Sequence, residues 1–255
     1  MNRSSVVIVW ASFALCAAAA LAHPASGIIV NAKGEVFFIH TGHGVYKIDT
    51  EGKLTCIHKV SGGGHWLAWD AQGRFSDQYP RLFQKLKLDA ETATLLYASG
   101  GAPLVVNRDG NLYYGSGFPE GQDTQPGGHT LTRLSPDGTR SLFSPELKST
   151  LEKWNEAVTG LASAPDGTIF VACPNAILKV LTDGTATTLL HPVLVTDRED
   201  DLARDSQTRF YHSPYLRGLD VADDGTVYVA VTGCRCVISV TAAGKVETVL
   251  KSECP

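Results

Sequence analysis

Apolar and polar positions alternate along this chain in short runs, and the runs come in pairs joined by a turn centred on glycine. The unit reads GIIVNAKGEVFFIH from Gly27, HWLAWDAQGRFS from His65, APLVVNRDGNLYYG from Ala102, TGLASAPDGTIFVA from Thr159 and RGLDVADDGTVYVA from Arg217. A second turn between apolar runs follows in each unit: KIDTEGKLTCI, KLKLDAETATLLY, RLSPDGTRSLF, KVLTDGTATTLL and SVTAAGKVETVL. Period-2 alternation, as at Val36 and Phe38 or Val227 and Val229, puts one face of each strand against a neighbour. Asp109-Gly110, Asp166-Gly167 and Asp224-Gly225 supply the positive φ that tight hairpins require. Four strands and two glycine turns per unit of about forty residues predict a β-propeller of four-stranded blades, with five repeats visible. One blade cannot bury both of its sheet faces alone, so the units must pack around an axis.

The first-turn glycines Gly34, Gly73, Gly110, Gly167 and Gly225 are separated by 39, 37, 57 and 58 residues. Blades 1 and 2 are therefore compact, while the later ones carry insertions at 118–129, 144–158 and 196–215. The last is charged and reads as a mobile loop with a short helical stretch. Long connections on a rigid scaffold are where binding residues gather.

Residues 1–22 read as a secretory leader: Arg3, an apolar core from Val6 to Ala20, and Ala20-Leu21-Ala22 as a small-x-small cleavage site. The expectation is a mature domain over 23–255, secreted or periplasmic, with no membrane contact after cleavage. The net charge is −4 with both signs well mixed, so no basic stripe suggests nucleic acid. Beyond the leader the cysteines are Cys56, Cys173, Cys234, Cys236 and Cys254, an odd number that leaves at least one thiol outside any intrachain disulfide. Cys234 and Cys236 share a strand face, but no second Cys or His pair at zinc spacing completes a metal site.

The pattern G-[LI]-x-V-x-x-D-G-x-[VI]-Y-V resembles NHL repeats and the propellers of the senescence-marker protein, gluconolactonase and luciferin-regenerating-enzyme type. GHGVYKIDTEGKL, GHWLAWDAQGRF and PYLRGLDVADDGTVYVAVTGC further resemble secreted bacterial members without an established activity. The resemblance implies a six-bladed propeller, of which one blade is missing or incomplete here. An open edge on blades 1 and 5 would then invite self-association. The lactonase members imply a divalent cation, often Ca2+, held in the channel by an early Glu and by Asn or Asp just before the Gly-Leu that opens certain blades. Those positions hold Thr159 and Arg217, and the other blade openings offer Ser26, His65 and Ala102, so no carboxylate stands where the ion would sit.

The residues themselves point to a binding surface where the inner strands begin. His65, Trp66, Tyr215, Arg217 and Thr159 form a candidate ligand-binding set, since Arg grips carboxylate or phosphate and aromatic rings stack. Trp66 also reads as blade packing, and Arg217 as a partner of Asp70 or Asp220. Trp154-Asn155-Glu156 leads into blade 4; Asn155 and Glu156 are the candidate cation ligands, or simply a solvated helix end. His40 and His43 flank a glycine-rich turn as strand braces, exposed ligands or a general base. His212 is a further candidate base. No G-x-S-x-G, H-E-x-x-H or phosphate loop occurs, and no nucleophile is identified. The expected function is a module binding a small molecule, glycan or protein at the channel mouth. A divalent-cation-dependent lactonase is the alternative, and a structural protein the third reading.

Overall fold

The computed structural model describes residues 27–40, 42–60, 64–75, 78, 82–88, 93–98, 103–116, 129–191, 216–232 and 236–251. The leader, Tyr215, His212, Cys234, Cys254 and the insertions at 118–128 and 196–215 lie outside them. Five sheets follow one another in chain order. Blade 1 comprises β1 (Ile28–Val30), β2 (Val36–His40), β3 (Gly44–Ile48) and β4 (Leu54–His58). Blade 2 comprises β5 (Trp66–Asp70), β6 (Gln84–Lys87) and β7 (Thr94–Ala98). Blade 3 holds β8 (Leu104–Val106), β9 (Leu112–Ser116), β10 (Thr130–Leu134) and β11 (Arg140–Leu142). The helix α1 (Pro145–Trp154) leads to blade 4, which holds β12 (Gly160–Ser163), β13 (Ile169–Cys173), β14 (Ala176–Val180) and β15 (Ala186–Leu190). Blade 5 holds β16 (Leu216–Val221), β17 (Val227–Val231), β18 (Cys236–Val240) and β19 (Val246–Lys251). The architecture is an all-β propeller of five blades.

Blade 2 departs from the four-stranded expectation. Its described strands pair in the order β5-β7-β6, and no strand follows Gly73 directly. Buried Asp70 explains why: its Oδ2 accepts the Phe75 N–H at 3.1 Å, which curls the chain inward. Phe75 and Phe83 then meet edge to face, with centroids 5.9 Å apart, inside the core. Both rings are buried there, where their apolar area adds to the seam between blades 2 and 3.

The core is a row of interblade seams. Phe37, Ile39 and Val45 pack on Leu67, Leu95 and Tyr97 between blades 1 and 2. Trp66, Phe75 and Leu96 meet Leu104, Leu112 and Tyr114 between blades 2 and 3. Tyr113, Leu131 and the α1 residues Leu147 and Leu151 meet Ile169, Val171 and Leu178. Phe170, Ala172 and Ile177 meet Val227, Val229 and Ile238 between blades 4 and 5. Inner strands touch in the series β1, β5, β8, β12, β16, but β16 and β1 make no comparable contact among the described residues. The far faces of the two end blades stay open accordingly: Ile28 is 66% exposed, Val30 62% and Tyr228 40%. In the other four-stranded blades the position of Tyr228 is held by Phe37, Tyr113 and Phe170, all buried.

Candidate functional site

Strand direction gives the propeller two unlike ends. At one end, the described connections β1–β2, β3–β4, β8–β9, β10–β11, β12–β13, β14–β15, β16–β17 and β18–β19 are tight turns. Asn31, for example, donates its N–H to Glu35 O at 3.0 Å while its Oδ1 accepts from Lys33 and Glu35. Asp137, Asp166, Asp183 and Asp224 each accept the N–H of the threonine two residues on. These bonds hold their carboxyls below the usual range. At the other end lie the starts of the inner strands, the end of β9, the start of β10 and the end of β15; α1 also ends there. Of the eight histidines, His23 and His212 lie outside the described residues. The remaining His40, His43, His58, His65, His129 and His191 all stand at this loop end, at strand ends or in the turns beside them.

Blades 4 and 5 come closest there. Thr159 donates its backbone N–H to Ala172 O at 2.8 Å and its hydroxyl to Leu216 O at 2.7 Å. A Cβ on Gly160 would fall 1.9 Å from Arg217 O, so only glycine allows this approach. The register of β16 on β17 shifts between Leu216 and Leu219, which takes Arg217 and Gly218 out of the ladder. Arg217 is half-buried at that bulge, as is His65, whose N–H bonds Ala98 O at 3.0 Å. The structure thus joins Thr159 to the Leu216-Arg217 segment. Asp70, proposed above as a partner of Arg217, lies at the opposite, turn end. Trp66 is 6% exposed within the blade 2–3 seam, so its indole is packing and offers no stacking face.

The Trp154-Asn155-Glu156 segment is the end of α1. Ser144 caps the helix start by accepting the Leu147 N–H at 3.1 Å. At its end Asn155 turns left-handed (φ 54), its N–H bonding Glu152 O at 3.2 Å, and Glu156 N–H reaches Leu151 O at 3.0 Å. Asn155 is exposed and its place in the fold is that cap. Glu156 points inward: burial pushes its carboxyl above the usual range, offset partly by the Asn175 N–H. Its Oε2 is buried without a hydrogen-bond partner among the described residues. One buried carboxylate oxygen is not a cation cage, and no three His, Cys, Asp or Glu side chains gather for a metal among the described residues. These residues alone do not fit the calcium site that the resemblance implied.

Sequence reasoning missed three features of this end. His129 Nδ1 lies 2.6 Å from the Glu156 carbonyl, so Nδ1–H donates and Nε2 is left as the basic nitrogen. Trp154 stacks on His191 with centroids 3.9 Å apart. His58 Nε2 meets Tyr97 Oη at 3.0 Å, and Tyr97 in turn bonds Gln84. Each pair joins residues far apart in sequence, and no local spacing announces them. Cys173 is no nucleophile: burial, then the neighbouring Glu156 charge, pushes its thiol far up.

No protein-family model matches the sequence, and no curated protein does. Solved structures do resemble the fold. A gluconolactonase from Xanthomonas campestris aligns with 17% identity over 90% or less of either chain, covering 89% of this chain and 76% of its own, at TM-score 0.57. Regucalcin from Agrobacterium tumefaciens, a calcium-binding protein, aligns at 15% identity over 86% and 71%, TM-score 0.52. Virginiamycin B lyase from Staphylococcus aureus aligns at 14% over 90% and 70%, TM-score 0.52. At these identities the likeness establishes the β-propeller fold.

Proposed function

We propose that this chain is a ligand-binding propeller that takes a small polar or anionic molecule at its loop end. The observation that carries the reading is that His65, Thr159, Arg217, His129 and Glu156 all stand at the same end of the blades, where the inner strands begin, with Thr159 bonded to Leu216 and His129 to Glu156. Arg217 would meet an anionic group and the histidines would donate or accept hydrogen bonds at a ligand's hydroxyls. The leader-like residues 1–22 support a site that works outside the cytoplasm, secreted or periplasmic. The ligand classes consistent with this chemistry are a small molecule or the end of a glycan.

A lactonase is the second reading. Glu156 Oε2 favours it, as a buried oxygen of the hard kind that a divalent cation satisfies. Such an ion would polarise a lactone carbonyl; the remaining ligands would have to come from outside the described residues.

Thermal unfolding of the full chain with Ca2+, with EDTA, and with D-glucono-1,5-lactone or gluconate separates the two. A ligand at a hundred times its Kd stabilises by about 2.7 kcal/mol, or roughly 5–10 °C for a domain of this size. A rise with gluconate that is indifferent to EDTA and lost in Arg217→Ala supports the binding reading. A calcium-dependent rise with chelator-sensitive lactone opening supports the second. An unchanged response in Arg217→Ala overturns the place given to that residue.

A further inference from the structure

The seams between blades follow one rule, and each end blade carries half of it. On the side of a blade that faces the next one, the second strand contributes an aromatic ring: Phe37 in blade 1, Tyr113 in blade 3 and Phe170 in blade 4, all buried. The following blade answers with an aliphatic face. Tyr113 shares its cluster with Ile169, Val171 and Val180, and Phe170 with Val227, Val229 and Val240. Glycine opens the inner strand where the next blade comes closest. A Cβ would fall 2.5 Å from Leu67 N at Gly27 and 1.9 Å from Arg217 O at Gly160.

Blade 5 presents the first half of this rule to solvent. Tyr228 stands, exposed, at the aromatic position, and Gly218 at the glycine position. Blade 1 presents the second half. Its ladder aligns Val30, Val36, Ile48 and Leu54 in one row. The adjacent row begins with Ile28 and Phe38 and, like the first, carries no charge. Val36 and Ile48 take the places of Ile169 and Val180 in blade 4 and of Val227 and Val240 in blade 5, all of them buried in seams. Ile28, Val30 and Leu54 are nevertheless each more than half exposed.

We propose that the two open faces are halves of one seam completed between molecules: blade 5 of one copy seats Tyr228 on the face of Val36 and Ile48 in blade 1 of a second copy. A second copy is the occupant because each chain carries both halves, while β16 and β1 make no comparable contact within one molecule among the described residues. An aromatic face on an aliphatic one makes the contact head to tail, so each pair keeps one free half at either end and can grow. A face of four five-residue strands measures about 19 Å by about 16 Å, roughly 300 Å². One such seam lies at the small end of protein interfaces, so the association is weak and follows concentration.

The test is sedimentation of the full chain over a wide range of concentration, with a charge placed on one half at a time. Val30→Asp and Tyr228→Asp alter exposed positions, and thermal unfolding at low concentration checks that each variant folds. The wild type should grow past the dimer as concentration rises. Each variant alone should associate about tenfold more weakly or worse, because the seam would bury an unpaired charge. Mixed one to one, the two variants should regain a dimer of wild-type affinity and stop there, since Val30→Asp keeps an intact blade 5 and Tyr228→Asp an intact blade 1. No rescue in the mixture, a wild type that stays monomeric throughout, or association untouched by either variant overturns the proposal. Hydroxyl-radical footprinting of the unmodified chain gives a reading independent of the variants: Leu54 and Tyr228 should gain protection together as concentration rises. Protection of Leu54 alone would mean a two-fold contact through blade 1, and protection of both at every concentration a cover from the chain itself. Either result refutes the head-to-tail seam.

Discussion

Replacing Gly160 by alanine tests how the site is built. The added Cβ would lie 1.9 Å from Arg217 O, where real contacts essentially never fall below 3.0 Å. Strands β12 and β16 must separate by at least the difference, about 1 Å, at the point where blades 4 and 5 meet. The same shift takes the Thr159 hydroxyl, now 2.7 Å from Leu216 O, out of hydrogen-bond reach. Overpacking costs about 1–3 kcal/mol and the lost bond about 1 kcal/mol, together about 2–4 kcal/mol. In a domain of this size that lowers Tm by roughly 5–15 °C. Gly225→Ala is the matched control: nothing lies within 4 Å of its Cβ, and only its φ of +81° resists the change. That strain costs about 1–2 kcal/mol. The assay is thermal unfolding of both variants, with amide exchange over residues 216–221 to locate the disturbance. Gly160→Ala should be the less stable variant and should loosen β16. If it melts within about 2 °C of the wild type, or above Gly225→Ala, the close approach of the two inner strands is wrong.

Other outcomes follow from the same geometry. Phe37 is buried in the blade 1–2 seam, whereas Phe38 stacks on Tyr46 on the open face. Phe37→Ala should cost about 3–5 kcal/mol and Phe38→Ala about 1 kcal/mol in urea unfolding; equal losses would mean that the open face is covered. Ser144→Ala removes the acceptor for the Leu147 N–H and should cost about 1 kcal/mol, read as a lower Tm. Glu156 is held above its ordinary value by burial, so the folded state binds its proton more tightly than the unfolded chain. Its contribution is present in acid and is lost as pH rises through the raised value. Glu156→Gln should therefore gain stability relative to wild type between acid and neutral pH; a parallel pair of pH–stability curves would refute this. The turn aspartates Asp137, Asp166, Asp183 and Asp224 act in the opposite sense. Their contribution is present above the ordinary carboxylate value and is lost as pH falls through their lowered ones.

The repeat was legible because its causes are local. Alternation at Val36-Phe37-Phe38 or Val227-Tyr228-Val229 decides which face each residue takes, and an Asp-Gly pair decides where the strand reverses. Both act within a few residues, so the five blades and their order could be read directly. Even the helix end at Trp154-Asn155-Glu156 lay within reach, through the cap its polar residues make. Blade 2 was not legible, because Asp70 bonding Phe75 and Phe83 seating against it are choices made by the interblade seam. Trp66 looked like a ligand platform because it stands beside His65 at a blade opening; only packing shows the indole turned into the seam between blades 2 and 3. His129 on Glu156, Trp154 on His191 and Thr159 on Leu216 lie at separations that no local pattern encodes. Strand direction around the axis brings them to one end. The sequence by itself determined the blades, because backbone geometry and side-chain alternation are short-range. The tertiary structure alone decided which polar groups share that end, because it depends on how whole blades stack.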